Sequence, residues 1–138
     1  MKEISLLVVE GNLASENKNF KKAGIQTHTE SLKESIANYH NKINYSVLNP
    51  SSEKNFNEII SKLESFDGIV WGGSSLNIYN DTPEIRSQIY FMKECFKKVK
   101  NIFAICWGMQ VAVTAAGGVV RKSKNGAHIG IAKNIKIN

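Results

Sequence analysis

A short apolar run, Ile102 to Ile105, stops abruptly at Cys106; Gly108 follows two residues later, ahead of a helix-forming stretch from Met109 to Ala116. The order is strand, tight turn, helix, with a thiol at the turn. A nucleophile elbow needs this arrangement, because the strained turn lifts one side chain above the strand ends. The helix that follows aims its partially positive N-terminus at that side chain and favours a thiolate. Cys106 is therefore the candidate nucleophile, although most strand cysteines are buried and inert.

The rest of the chain alternates in the same way. Ile4 to Val9 is an apolar run of the kind covered on both faces of a parallel sheet, closed by Glu10-Gly11-Asn12. A loop rich in Asn and Lys is predicted up to about Thr29, then a helix from Ser31 to Ile43 with Leu32, Ile36 and Tyr39 on one face. Tyr45 to Leu48 reads as the second strand, and Ser51 or Ser52 as the cap of a helix carrying Phe56, Ile59, Ile60 and Leu63. Asp67 to Trp71 is the third strand, ending at Gly72-Gly73-Ser74-Ser75. Thr82, Pro83 and Glu84 open a helix whose apolar stripe is Ile85, Ile89, Met92, Phe96 and Val99, bordered by Cys95 as a packing residue. Beyond Gly117-Gly118, Val119 to Lys122, a turn at Lys124-Asn125-Gly126 and His128 to Ala132 read as an antiparallel hairpin.

Alternating strands and helices imply right-handed crossovers. The predicted fold is thus an α/β, doubly wound, mostly parallel sheet with helices on both faces and a C-terminal antiparallel hairpin. At 138 residues, 1–138 is read as a single domain. The six-residue apolar run at Ile4 to Val9 is too short for a signal peptide or a membrane span, which makes the cytoplasm the expected location and a membrane role unexpected. Cys95 and Cys106 lack CxxC spacing, and His28, His40 and His128 lack ligand spacing, so neither a disulfide framework nor a metal site is expected. The net charge of +6 invites a nucleic-acid reading. However, Lys93, Lys97, Lys98 and Lys100 gather at a helix end, Lys122, Lys124, Lys133 and Lys136 are dispersed, and no aromatic residues interleave with them. A solvated surface, not a nucleic-acid interface, is the better account.

Doubly wound sheets bind ligands beyond the carboxyl ends of their strands. Glu10-Gly11, Gly72 to Ser75 and Cys106 all fall on that edge. A thiolate attacking an acyl carbon needs donors for the oxyanion. The elbow offers the backbone N–H of Trp107, and the glycine turn offers that of Gly73 or Gly72. The same glycines also suit a plain tight turn, or an anion nest for a phosphate.

Ala104-Ile105-Cys106-Trp107-Gly108-Met109-Gln110 resembles the Cys-x-Gly-x-Gln nucleophile motif of the class I (triad-type) glutamine amidotransferases. Trp71-Gly72-Gly73-Ser74-Ser75, followed by Tyr79-Asn80-Asp81, is similar to the oxyanion-strand loop of their GMP-synthase-like members. The resemblance runs from the first strand to the hairpin. It implies a flavodoxin-like domain without cofactor or metal that performs a glutaminase half-reaction: Cys106 attacks the glutamine side-chain amide, ammonia leaves, and water cleaves the glutamyl thioester. Trp107 and Gly73 (or Gly72) would hold the oxyanion, while Gln110, with Gly72 and Ser74, would seat glutamine. The ammonia would normally pass to an acceptor, so a synthetase partner or a homo-oligomer is the expected assembly. The family's His-x-Glu pair comes late in the chain, and none of the three histidines fits it. The domain is accordingly expected to be C-terminally incomplete and weakly active or inactive alone. Two other readings compete. One is a hydrolase of the intracellular-peptidase and deglycase-like branch, which would pair the thiol with Glu10; the other is a catalytically silent, flavodoxin-like interaction module.

Overall fold

The computed structural model describes residues 3–52, 56–126, 133, 134 and 136. The uninterrupted apolar segments become four parallel strands: Ile4–Val9 (β1), Ile43–Leu48 (β2), Gly68–Trp71 (β3) and Ile102–Ala104 (β4). Their spatial order is β2-β1-β3-β4, the order of the flavodoxin-like doubly wound sheet. The helices are Ala14–Lys22 (α1), His28–Ala37 (α2), Asn57–Lys62 (α3), Pro83–Lys98 (α4) and Trp107–Ala115 (α5). The chain reverses its direction across the sheet after β2, so right-handed crossovers put α2 on one face and α3 and α4 on the other. The contacts agree: α2 lies against β1 and β2, and α4 against α3 and α5.

Register sets the geometry of the functional edge. Val9 is level with both Leu48 and Trp71, and Trp71 with Ala104. All four strands therefore end in one row, and the residues that leave it are Asn49, Glu10, Gly72 and Ile105. The core beneath is built from Leu7, Val9, Leu48, Leu63, Ile69, Trp71, Ile85, Phe91, Met92, Trp107 and Val111, all buried.

Several boundaries differ from the sequence expectation. Residues 14–22, expected in a loop, form α1; this helix buries no residue, so no apolar period announced it. Helix α2 begins three residues early because Thr27 closes a capping box with Glu30, and it ends at Ala37, releasing Ile43 into β2. Neither Ser51 nor Ser52 caps α3, whose N-cap is Phe56 without a side-chain bond. The expected cap of α4 is present, with Thr82 Oγ1 accepting from the Ile85 N–H at 3.4 Å. On α4 the buried face is Ile85, Gln88, Phe91, Met92 and Cys95, while Phe96 is exposed. Residues 119–122 pair with no strand among the described residues, although a turn does occur at Lys124-Asn125. The other arm of the expected hairpin, His128 to Ala132, lies outside the described residues.

The capping box anchors the helix that covers the glycine turn. Thr27→Ala is expected to destabilise the fold by about 1 kcal/mol, read from urea unfolding at neutral pH. The backbone N–H and hydroxyl of Thr27, with Lys21 nearby, hold the Glu30 carboxyl below its ordinary value of 4.5. A carboxylate with a depressed folded pKa stabilises above its unfolded value and loses that contribution as pH falls through the folded one. Glu30→Gln should therefore destabilise above about pH 5 and become neutral in strong acid.

Candidate functional site

The turn after β4 is too tight for ordinary backbone. Cys106 takes φ 53° and ψ −105°, a left-handed conformation that costs a non-glycine residue about 1–3 kcal/mol. Its side chain is exposed at the N-cap position of α5. The first turn of the helix closes behind it, with the Gln110 N–H donating to the Cys106 carbonyl at 3.2 Å. Ile105 N–H donates to Trp71 O at 2.9 Å, and Gly108 N–H to Gly72 O at 3.0 Å, so the elbow is tied to the end of β3. A Cβ on Gly108 would fall 2.5 Å from Trp71 O, which is why a glycine stands there.

Gly73 is half-buried, whereas Gly72 is buried with its carbonyl engaged by Gly108. Among the described residues, neither the Gly73 N–H nor the Trp107 N–H is spent on a protein acceptor. Between these two residues lies Gly11, where a Cβ would meet Trp107 Cδ1 at 2.7 Å and Gly73 O at 2.9 Å. Ser74 turns its hydroxyl inward to accept from the Leu76 N–H at 3.1 Å, and the Ser75 N–H donates to Asn12 Oδ1 at 3.0 Å. The Ser74 hydroxyl thus shapes the loop.

Gln110 is half-buried and lines a cavity of about 470 Å³ together with Asn77, Tyr79, Arg121 and Lys122. A larger cavity, about 900 Å³, lies over α1, α2 and the ends of β1 and β2; Glu10 contributes to its wall and Cys106 does not. Glu10 is buried, and both carboxylate oxygens are used: Oε1 accepts from the Asn12 N–H at 2.9 Å and Oε2 from Thr29 Oγ1 at 2.6 Å. It ties the β1 loop to α2, and no hydrogen bond joins it to Cys106. Among the described residues, no group of three His, Cys, Asp or Glu side chains could hold a metal ion. Nor is any helix among them long and apolar enough to cross a membrane.

Two residues at this edge escaped the sequence. His28, the first residue of α2, lays its ring against Gly73: a Cβ there would lie 3.3 Å from Cε1 and Nε2. Phe20 of the unexpected helix α1 holds that ring edge-on, with centroids 5.8 Å apart. Gln88 is fully buried and binds the indole N–H of Trp107 at 2.7 Å. The capping pattern Thr27-x-x-Glu30 was the one available signal for His28. A glutamine on an apolar helix face offered none for Gln88.

A family model described as glutamine amidotransferase class-I matches residues 25–138. The chain is 31% identical over 124 residues to a γ-glutamyl-L-1-hydroxyisopropylamide hydrolase from Pseudomonas sp., covering 90% of this chain and 41% of the relative. It is 31% identical over 67 residues to γ-glutamyl peptidase 4 of Arabidopsis thaliana, covering 49% of this chain and 27% of the relative. The chain thus spans less than half the length of the curated relatives it matches.

The two thiols are expected to react differently. Cys95 is buried on α4, and burial pushes its pKa up to about 12, so it stays protonated and covered at neutral pH. Iodoacetamide should modify Cys106 at least about 100-fold faster than Cys95 in the folded protein, and both at similar rates in urea. Peptide mapping by mass spectrometry reads both rates. Equal, slow modification of the two would make Cys106 inert and leave a silent module.

Proposed function

We propose that this chain, which belongs to the class-I glutamine amidotransferase family, carries the nucleophile and oxyanion half of a γ-glutamyl amide hydrolase, with Cys106 as the attacking group. The observation that carries this reading is the exposed thiol at φ 53° at the start of α5, beside a glycine loop whose Gly73 N–H has no acceptor among the described residues. The names of the relatives support hydrolysis of γ-glutamyl bonds rather than delivery of ammonia to an acceptor.

The proposed reaction proceeds in two steps. Cys106 Sγ adds to the δ-carbon of the γ-glutamyl amide, and the carbonyl electron pair moves to oxygen. The N–H groups of Trp107 and Gly73 stabilise that oxyanion; removing one such donor costs about 10²–10³-fold in rate in other hydrolases. As the intermediate collapses, the C–N bond breaks and the amine leaves with the proton that the thiol gave up. Water then adds to the thioester, the C–S bond breaks, and glutamate departs as the proton returns to sulfur. In the family a late His-x-Glu pair moves these protons, and His28 and His40 do not match that motif. The first, acylating half is therefore the step that this chain's own residues equip best.

The proposed seat is the cavity beside Gln110, whose wall does not itself include Cys106. Arg121 and Lys122 bring positive charge to its wall, which suits the α-carboxylate of a γ-glutamyl group, and Gln110, Asn77 and Tyr79 bring neutral hydrogen-bonding groups. Ser74 and Gly72 contribute through the shape of the loop.

A glutamine-analogue electrophile, 6-diazo-5-oxo-L-norleucine, tests the reading without requiring turnover. One adduct is expected, on Cys106, suppressed by L-glutamine and absent from Cys106→Ser. Arg121→Ala and Gln110→Ala should each weaken the saturable binding of the analogue about tenfold, the loss of about 1.4 kcal/mol. If iodoacetamide modifies Cys106 readily while the glutamine analogue leaves it untouched, the γ-glutamyl assignment is wrong and only a reactive thiol remains.

A further inference from the structure

We infer that Gln88 is a positioning residue for the nucleophile elbow: its buried carboxamide clamps the indole of Trp107 to the loop after β1 and so fixes where the Trp107 N–H points. The clamp rests on the γ-glutamyl reading only for its catalytic consequence; its geometry stands independently. Gln88 is 0% exposed in the middle of α4, on the face that otherwise carries Ile85, Phe91, Met92 and Cys95. A carboxamide buried there must find partners for its oxygen and its NH₂ group, or it destabilises the core by about 1–3 kcal/mol. Both are served. Gln88 Oε1 accepts from Trp107 Nε1 at 2.7 Å, and Nε2 donates to Gly11 O at 2.9 Å and to Ser51 Oγ at 2.7 Å.

The contrast with the other buried tryptophan is informative. Trp71, also fully buried, has an indole N–H without an acceptor among the described residues. Among the described residues, one buried indole N–H is thus unpaired while a buried glutamine is committed to the other. Trp107 immediately follows Cys106 and opens α5, so whatever fixes its side chain also fixes its own amide. The same contact reaches the glycine loop through Gly11, whose missing Cβ admits Trp107 on one side and Gly73 O on the other. Gln88 therefore touches neither the thiol nor a substrate, but it sets the relative placement of the two amides.

Gln88→Leu, Trp107→Phe and the double variant separate positioning from simple stability. Gln88→Leu leaves an unpaired indole N–H and should lower the urea midpoint. It should also slow the maximal rate of Cys106 labelling by 6-diazo-5-oxo-L-norleucine on the order of 10- to 100-fold, the range expected when a reacting group is misplaced by about 1 Å. Half-saturation by the analogue should stay unchanged. The double variant removes both ends of the Gln88–Trp107 bond, while Gly11 O and Ser51 Oγ still lack Gln88; it should regain part of the lost stability while the labelling rate stays as low as in Gln88→Leu. Recovery of the rate together with stability would overturn the inference, as would a stability loss in Gln88→Leu with the rate intact. If the wild-type protein is not labelled at all, the γ-glutamyl reading has failed but the clamp is still tested. The indole and backbone N–H resonances of Trp107 must then shift in Gln88→Leu, and unmoved resonances would refute it.

Discussion

The close approach of the β4–α5 turn to the end of β3 governs this structure. Gly108 comes so near Trp71 that its N–H reaches the Gly72 carbonyl at 3.0 Å and even a methyl group would collide with backbone. With Gly108 held there and Ile105 bonded to Trp71 O, only Cys106 and Trp107 are left to complete the turn. Trp107 already belongs to α5, and Cys106 takes the unfavourable conformation. Four backbone hydrogen bonds, two of them sharing the Gly108 N–H, and the burial of Trp107 and Val111 surround the turn. At about 0.5–1.5 kcal/mol per bond, they are of the same size as the strain of one left-handed residue. The exposure of the thiol is thus a product of packing beneath it.

The row of strand ends also explains why the region under the site is polar. Strands that stop in register leave N–H and C=O groups that need partners once loops cover them. Glu10 accepts from Asn12 and Thr29, Asn12 serves Ser75, and Gln88 serves Gly11 and Trp107. The carboxylate at the end of β1 is engaged by Asn12 and Thr29, and no hydrogen bond joins it to Cys106. Cys95 and Cys106 show the same separation of roles: the buried thiol is held neutral within the core, and the other faces solvent.

Much of this was legible because the relevant signals are local. The apolar runs of β1 and β3, the Thr82-Pro83-Glu84 start of α4, and the spacing of Ile102, Cys106 and Gly108 each involve neighbours in sequence, and each appears where expected. The failures share a different cause. Helix α1 has no buried residue, so hydrophobic period had nothing to read, and its contribution is one aromatic ring against His28. The buried face of α4 was rotated toward Phe96, because Gln88 counts as polar in any periodicity while the fold buries it completely. Residues whose partners lie far away in sequence carry no such local mark.

The glycine pair after β3 shows how the two faces of the sheet meet at the site. Neither Gly72 nor Gly73 has a positive φ among the described residues, so turn formation alone does not require them. Proximity constrains them instead: a Cβ on Gly72 would oblige Leu32 Cδ1, 2.7 Å away, to shift, and one on Gly73 would press on the His28 ring at 3.3 Å. Helix α2 thus confines the loop from one side, while Gly11, Trp107 and, behind them, Gln88 confine it from the other. A loop held between two layers keeps the Gly73 N–H in place without an internal hydrogen bond to it among the described residues, while Ser75 and Leu76 use theirs to brace the loop. Such fixed donors can stabilise charge as it develops without reorganising. The absence of side chains at Gly72 and Gly73 thus lets α2 and the Gly11–Trp107 side close in from both faces while the Gly73 amide has no acceptor among the described residues.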